Sequence, residues 1–208
     1  MNSFAVLVNA AADFGFAGVF LVTWIAPDTF GQQTVRFLML VMLMEFVVVH
    51  SSAFMGNVII SRAGRGARAA ALVGFGLFYS LFAGAFALGF KTWWPITMFW
   101  GQTLNRLLGV LFGQVPDDEQ KAFIQRSWIA SVLLYLLGAF VTVILPVPRL
   151  GVSSAIVAAQ HITATGLWPE HPERVLAFGV IYFGLTGLSD LKGHTWARGI
   201  RVSGSPVQ

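Results

Sequence analysis

The chain has 208 residues, of which 56% are hydrophobic and only 11% are charged, and its mean hydropathy is +0.74. This composition excludes an ordinary soluble domain and predicts an integral membrane protein. The net charge of +4 comes from short clusters of Lys and Arg between apolar runs, which is typical of membrane-flanking loops and argues against a nucleic-acid partner. Because there is no cysteine, disulfides, thiolate metal sites and cysteine nucleophiles are excluded.

Six apolar runs predict an all-α polytopic bundle that forms a single transmembrane domain over 1–208, since a spanning helix needs about 20 mostly apolar residues. The spans are expected at about 4–25, 37–60, 69–90, 93–113, 127–145 and 175–188. The first is interpreted as a mature helix, because no basic segment precedes it as in a signal peptide. The last has only about 14 apolar residues, so it requires a thinned membrane or burial among other helices.

Residues 150–168 are long enough to cross a membrane but are rich in Ser, Thr, Gln and His. With six spans and the N-terminus inside, the inner loops carry Arg62, Arg65, Arg68, Lys121, Arg126, Lys192, Arg198 and Arg201, whereas the outer loops carry Arg36, Lys91, Arg149 and Arg174. An additional crossing at 150–168 would turn the basic C-terminus outward and equalise the number of basic residues on the two sides. The positive-inside rule therefore predicts an interfacial or re-entrant helix at 150–168, cytoplasmic termini and a basic cytoplasmic tail at 192–208.

Ten arginines against three lysines indicate a GC-rich bacterial genome, so we expect a multi-pass protein of the bacterial inner membrane. Membrane lipids are its expected surroundings. A membrane protein partner or a second copy of the chain is compatible with the same pattern.

Four ionisable residues fall inside the predicted spans: Asp13, Glu45, His50 and Arg106. A charge near the middle of a membrane costs about 2.5–3.5 kcal/mol on insertion scales, so these side chains should face the bundle interior and find partners. We expect them to form a central cluster with the polar side chains of Asn9, Asn57, Gln102 and Asn105. Because Glu45 and His50 lie about 140° apart on one helix, the second span should be surrounded by protein on a wide arc.

Arg106 is predicted to pair with Asp13 or Glu45, while the unpaired carboxyl stays protonated at neutral pH. That carboxyl and His50 would then be free to exchange protons, as in a proton relay. An ion pair that only locks the helices together is the alternative.

Two further patterns appear at helical spacing. In the fourth span, one face contains Gln102, Asn105, Arg106, Gly109 and Gly113, and we expect this face to point inward. In the third span, Gly76, Ser80 and Gly84 form a row of small residues that permits close helix packing.

No cofactor is predicted. A haem site would need a second histidine at the depth of His50 inside a predicted span, and none is found there. His161 and His171 are only weak zinc candidates, because their spacing matches no recognised zinc motif. No dinucleotide fingerprint, phosphate loop, HExxH or GxSxG pattern is present, which argues against an enzyme.

Two functional hypotheses remain. The first is a proton-linked transporter of a small solute or ion, with Asp13, Glu45, His50 and Arg106 along its path. The second is a non-catalytic accessory or assembly subunit of a larger membrane complex, in which the same residues hold the bundle together. A continuous polar cavity that runs from the cluster to one membrane face would favour the transporter.

Overall fold

The structure, a computed structural model, describes residues 3–113, 115–160 and 166–199, and side chains within these ranges from Val6 to Ala197. Throughout these ranges the regular structure is helical and no strand occurs. The helices are α1 (Ser3–Ile25), α2 (Thr34–Ile60), α3 (Arg65–Gly89), α4 (Trp94–Phe112), α5 (Asp118–Ile144), α6 (Ser154–Ala159), α7 (Leu167–Glu170) and α8 (Pro172–Leu191), followed by a 3₁₀ turn at Thr195–Gly199. The all-α membrane bundle expected from the sequence is confirmed.

Five helices are long and apolar enough to cross a membrane: α1, α2, α3, α5 and α8. The fourth predicted span, α4, has 19 residues but is less apolar, because it contains Gln102, Asn105 and Arg106. The last span is longer than its apolar run, since Pro172 begins a 20-residue helix whose first turn includes the buried Glu173. Much of this helix is buried among other helices, which is one of the two alternatives expected for the span.

Helix α5 begins nine residues earlier than the apolar run from residue 127 indicates. Asp117 caps the helix, with its side chain accepting a 2.7 Å hydrogen bond from the backbone N–H of Gln120. Asp118 and Glu119 place negative charge in the first turn, where it interacts favourably with the helix dipole. Polar capping therefore extends α5 beyond its hydrophobic part.

Consecutive long helices run antiparallel, and α2 lies at the centre in contact with α1, α3, α4, α5 and α8. One hydrophobic core joins α2 to α1, α5 and α8, and it includes Phe20, Met42 and Phe178. A second core joins α2 to α3 and α4, and it includes Met44 and Phe99. Helix α2 is thus shared by two groups of helices, which explains why ionisable residues on two of its faces can both contact protein.

The loop 61–64 and the start of α5 lie at one end of the bundle, which we call the basic end because Arg62, Arg65, Arg68, Lys121 and Arg126 lie there. Arg68 is buried and donates a 3.0 Å hydrogen bond to the carbonyl of Ile59, an unpaired acceptor at the end of α2. At least one of these arginines thus terminates a helix as well as adding positive charge.

The segment between α5 and α8 begins and ends at the opposite end of the bundle, where Arg174 donates hydrogen bonds of 2.7 and 2.8 Å to the carbonyls of Thr142 and Val143. The described residues of this segment form two short helices, α6 and α7, whereas a single helix was expected over 150–168. Neither crosses the bundle. The buried side chain of Gln160 anchors the segment to the start of α2 by accepting from Arg36 N–H and donating to the carbonyl of Gln32.

The small-residue row of α3 divides into two environments. Gly76 is buried against α4, and a Cβ added there would lie 3.1 Å from Thr103 and 3.2 Å from Trp100. A Cβ at Gly84 would meet no atom within 4 Å. Ser80 binds the carbonyl of Gly76 in its own helix. The close helix approach expected for the whole row therefore occurs at Gly76 and not at Gly84.

Candidate functional site

A cavity of about 310 Å³ lies against α2, between α4 and α5. These two helices make little contact with each other, so the groove between them is floored by α2. Its lining runs along α2 from Glu45 to Ile59 and therefore extends from the middle of the bundle toward the basic end. The polar side chains that line it belong to Glu45, Ser52, Arg106, Ser127, Trp128 and Ser131.

Arg106 reaches the cavity from α4. Its guanidinium donates a 2.6 Å hydrogen bond to the hydroxyl of Ser52 and a 3.1 Å hydrogen bond to the thioether sulfur of Met55. Both partners are neutral and both belong to α2. The guanidinium therefore holds α4 against α2 while its positive charge stays at the cavity.

Glu45 lies at the end of the cavity that is farthest from the basic end, and a side chain of α8 holds its carboxyl in place. The hydroxyl of Tyr182 donates a 2.6 Å hydrogen bond to its Oε1. Tyr182 is 1% exposed, and its ring packs edge-to-face against Tyr135, whose own hydroxyl donates to the carbonyl of Met42 at 3.0 Å. Two buried tyrosines thus position the carboxyl, and the remaining surface of Glu45 faces the cavity.

The expected ion pair between Arg106 and Asp13 or Glu45 is wrong in this structure. No carboxylate in the described ranges lies within 4.0 Å of the Arg106 guanidinium. The reason is depth: Arg106 contacts Ser52, which is two helical turns, or about 10.5 Å, from Glu45 on the same face of α2. The two charged groups share one cavity but lie apart within it.

His50 lies outside this cavity, contrary to the central cluster expected from the sequence. It is exposed on the face of α2 next to α3, where its Nδ1 lies 2.7 Å from the hydroxyl of Tyr79 and its ring packs between Phe46 and Phe54. Asn57 shares this face and is also exposed, with its amide donating to the carbonyl of Ala53. The 140° separation of Glu45 and His50 therefore directs them to different surroundings.

Asp13 on α1 belongs to a second group of ionisable residues. It lies close enough to Asp190, Glu45 and His194 to interact with them electrostatically. The ring Nε2 of His194 is 3.0 Å from Asp190 Oδ1, and its Nδ1 is 2.8 Å from the hydroxyl of Ser189. These groups extend from the middle of the bundle to its basic end.

A smaller cavity of about 70 Å³ adjoins this second group, and Asn9, Asp190 and His194 line it. Phe123 and Ser127 line both this cavity and the larger one. The two cavities therefore share a wall on α5.

The inward-facing polar stripe expected on α4 is also placed differently. The buried residues of α4 include Phe99, Thr103 and Val110, which pack toward α3 and α2. Asn105 and Gly109 are exposed, and Gln102 is half-buried. Only Arg106 among the polar members of the stripe reaches the cavity, because α4 packs on its neighbours through the face of Phe99, Thr103 and Val110.

The weak metal candidates do not gather into a metal site in the part of the chain that is described. His171 Nδ1 lies 3.1 Å from Glu173, and Arg149 lies 3.7 Å from the same carboxylate. No group of three metal-ligating side chains occurs within the described ranges. His161 lies outside them.

Sequence reasoning missed the partners of the carboxylates. Tyr135 and Tyr182 could be found, since both recur at three- and four-residue spacing with small residues on α5 and α8. Asp190 and His194 also carried a signal, because they are four residues apart at the end of the last span. The place of Trp128 in the cavity lining had no signal in the sequence, because a tryptophan at the end of an apolar run is typical of a membrane interface.

No family model, no curated protein and no solved structure matches this chain. The arrangement of its own residues is therefore the basis for assigning a function.

Proposed function

We propose that this protein is a proton-linked transporter of a small solute or ion in the bacterial inner membrane, with both termini in the cytoplasm. The observation that carries this proposal is one cavity whose lining includes both Glu45 and Arg106. A purely structural ion pair would leave the two side chains in contact and the space between them filled. Their separation across a cavity is what a binding site requires.

In this proposal Glu45 carries the proton. It is the carboxyl in the cavity, and hydroxyls and carboxyls continue from it toward the basic end: Tyr182 binds it directly, and Asp13, Asp190 and His194 lie beyond. Intramembrane carboxylates and histidines in such series are the usual groups of proton pathways. The proton on Glu45 would exchange with the cytoplasm along this series.

The test is transport by the purified protein in liposomes that contain a pH-sensitive dye. Candidate solutes are added outside one at a time. We expect one class of solute to acidify the lumen as it enters and a pH gradient to accelerate its uptake. Failure of every solute class to move protons would contradict the proposal.

Two carboxamide variants sharpen the result. Glu45→Gln should abolish proton movement that depends on the solute. Glu119→Gln removes the same charge from an exposed position in the first turn of α5 and should leave it unchanged. Coupled uptake that persists in Glu45→Gln would show that another group carries the proton.

A second candidate function, an accessory or assembly subunit of a larger membrane complex, is favoured by one observation. Helix α4 exposes the amide of Asn105 between Gly101 and Gly109, and a Cβ at either glycine would meet no atom within 4 Å. Small residues beside an amide are typical of contacts between transmembrane helices. Extraction in mild detergent distinguishes the candidates, because a subunit should co-purify with a stoichiometric partner that Asn105→Leu releases.

A further inference from the structure

We propose that the solute of this cavity is a small oxyanion, a carboxylate or a phosphate, which binds Arg106 and is carried together with one proton on Glu45. This inference rests on the proposed transport function and names its substrate class. It follows from the chemistry of the groups that line the cavity.

The first observation is the state of Arg106. A guanidinium has five N–H donors and no acceptor, and here its hydrogen-bonding partners are one hydroxyl and one weakly accepting thioether. Within the described ranges no carboxylate lies within 4.0 Å of it. A cation held among membrane helices with no counterion in contact is costly, and an oxyanion accepts from a guanidinium through two parallel hydrogen bonds.

The second observation is independent and concerns α5. Trp128 lines the same cavity, and its buried indole N–H has no hydrogen-bond partner. Indole nitrogen can only donate, and the neighbouring hydroxyls of Ser127 and Ser131 can donate as well. The α5 side of the cavity therefore offers hydroxyl donors and carries no carboxylate, which suits an anion bound to Arg106.

The size of the cavity limits the solute. A volume of about 310 Å³ corresponds to roughly ten water molecules, at the lower end of the range for small-molecule pockets. A short-chain carboxylate or inorganic phosphate fits this space, with the two-turn stretch of α2 between Ser52 and Glu45 left for the rest of the solute.

The charges then balance in both states of the carrier. In the proposed empty carrier Glu45 has given up its proton, so that its charge and that of Arg106 sum to zero. When a monovalent anion enters together with one proton on Glu45, the sum is again zero. Since neither state buries a net charge, transport should move one proton per anion and should respond to a pH gradient but not to membrane voltage.

Binding is tested first, on the purified full-length chain in detergent. Thermal unfolding is followed with sodium acetate, lactate or phosphate, against sodium chloride at equal ionic strength and against the neutral amides acetamide and lactamide. A ligand that binds only the folded state raises the melting temperature in a saturable way. We expect acetate and lactate, or phosphate, to do so, and the amides and chloride not to.

The variants locate the site. Arg106→Gln should abolish the response, whereas Arg65→Gln, which removes the same charge from an exposed position, should keep it. Ser131→Phe fills the cavity without altering Arg106, and it should also abolish the response even if Arg106→Gln does not fold. A full response in Ser131→Phe, or no response of the wild-type protein to any oxyanion, would overturn the inference.

Liposomes separate this inference from the proposed function. Saturable binding of an oxyanion without proton-coupled uptake would end the transport proposal and leave the anion site in place. Proton-coupled uptake of a neutral or cationic solute, without an anion response, would keep the transport proposal and overturn the anion site. Uptake that charges the membrane would contradict the one-to-one balance.

Discussion

Tyr182 on α8 donates a 2.6 Å hydrogen bond to Glu45 on α2. This bond joins the last span to the central helix at the end of the cavity that is farthest from the basic end. The hydroxyl is buried, so its loss cannot be replaced by water at the surface. This contact links the stability of the bundle to the carboxyl that we assign to proton transfer.

The first prediction concerns this hydrogen bond. If Glu45 is ionised in the empty carrier, as the transport proposal requires, Tyr182→Phe should lower the free energy of unfolding by about 1.5–3 kcal/mol, because the lost hydrogen bond has a charged acceptor. Tyr135→Phe is the matched control, since its buried hydroxyl donates to a neutral carbonyl and should cost about 0.5–1.5 kcal/mol. Denaturant titration in mixed micelles measures both. Equal losses would indicate that Glu45 is not ionised in the empty protein.

The second prediction follows from the contacts of Arg106. In double-mutant cycles, Arg106→Leu should couple to Ser52→Ala, because the two side chains are hydrogen-bonded. It should be additive with Asp13→Asn within about 0.5 kcal/mol, because no ion pair joins them. If Asp13→Asn instead recovered stability lost in Arg106→Leu, the ion pair predicted from the sequence would be supported.

The third prediction separates His50 from the transport path. His50→Gln should leave solute-dependent proton uptake in liposomes unchanged, because His50 packs on the outer face of α2 against Tyr79 and not in the cavity. The melting temperature of the His50→Gln variant should fall slightly, because the contact with Tyr79 is lost. Loss of coupling in His50→Gln, at normal expression and folding, would place this histidine on the path after all.

The fourth prediction contrasts two glycines of α3. Gly76→Leu should destabilise the protein by about 1–3 kcal/mol, because the new side chain overpacks the contact with Trp100 and Thr103. Gly84→Leu points into open space and should be nearly neutral. Unfolding midpoints in detergent compare the two. Equal destabilisation would mean that Gly84 also faces a partner, such as a second copy of the chain.

The fifth prediction concerns topology. In this cysteine-free chain, single cysteines at Arg65 and Lys192 should be labelled from one side of the membrane, and those at Lys91 and Glu170 from the other. The reason is that the segment between α5 and α8 returns to the end where it began. Opposite-side labelling of positions 65 and 192 would require an additional crossing.

Much of the fold could be predicted because hydrophobic length and loop charge are local properties of the sequence. The central position of α2 was also expected, although His50, on which that expectation partly rested, is exposed. The polar stripes of α5 and α8 face the interior at Tyr135 and Tyr182, as their spacing indicates.

The side-chain partners could not be predicted, because hydrophobic patterns do not fix the depth of one helix against another. A difference of two turns along α2 is enough to exchange a carboxylate partner for Ser52. The face of α4 was mistaken for a related reason. Polarity indicated Asn105 as interior, but Phe99 and Thr103 determine which side of α4 is buried.

The position of α2 in both hydrophobic cores has a mechanical consequence. Helices α3 and α4 form one body and α1, α5 and α8 form another, and the cavity lies where α4 and α5 face each other across α2. A small rotation of one body about α2 would widen or narrow the gap between α4 and α5, and it would repack the contacts of α2 in that body's core. In larger transporters, alternating access operates by rocking of two bodies about a site between them. In this protein the two bodies would rotate about the single helix α2.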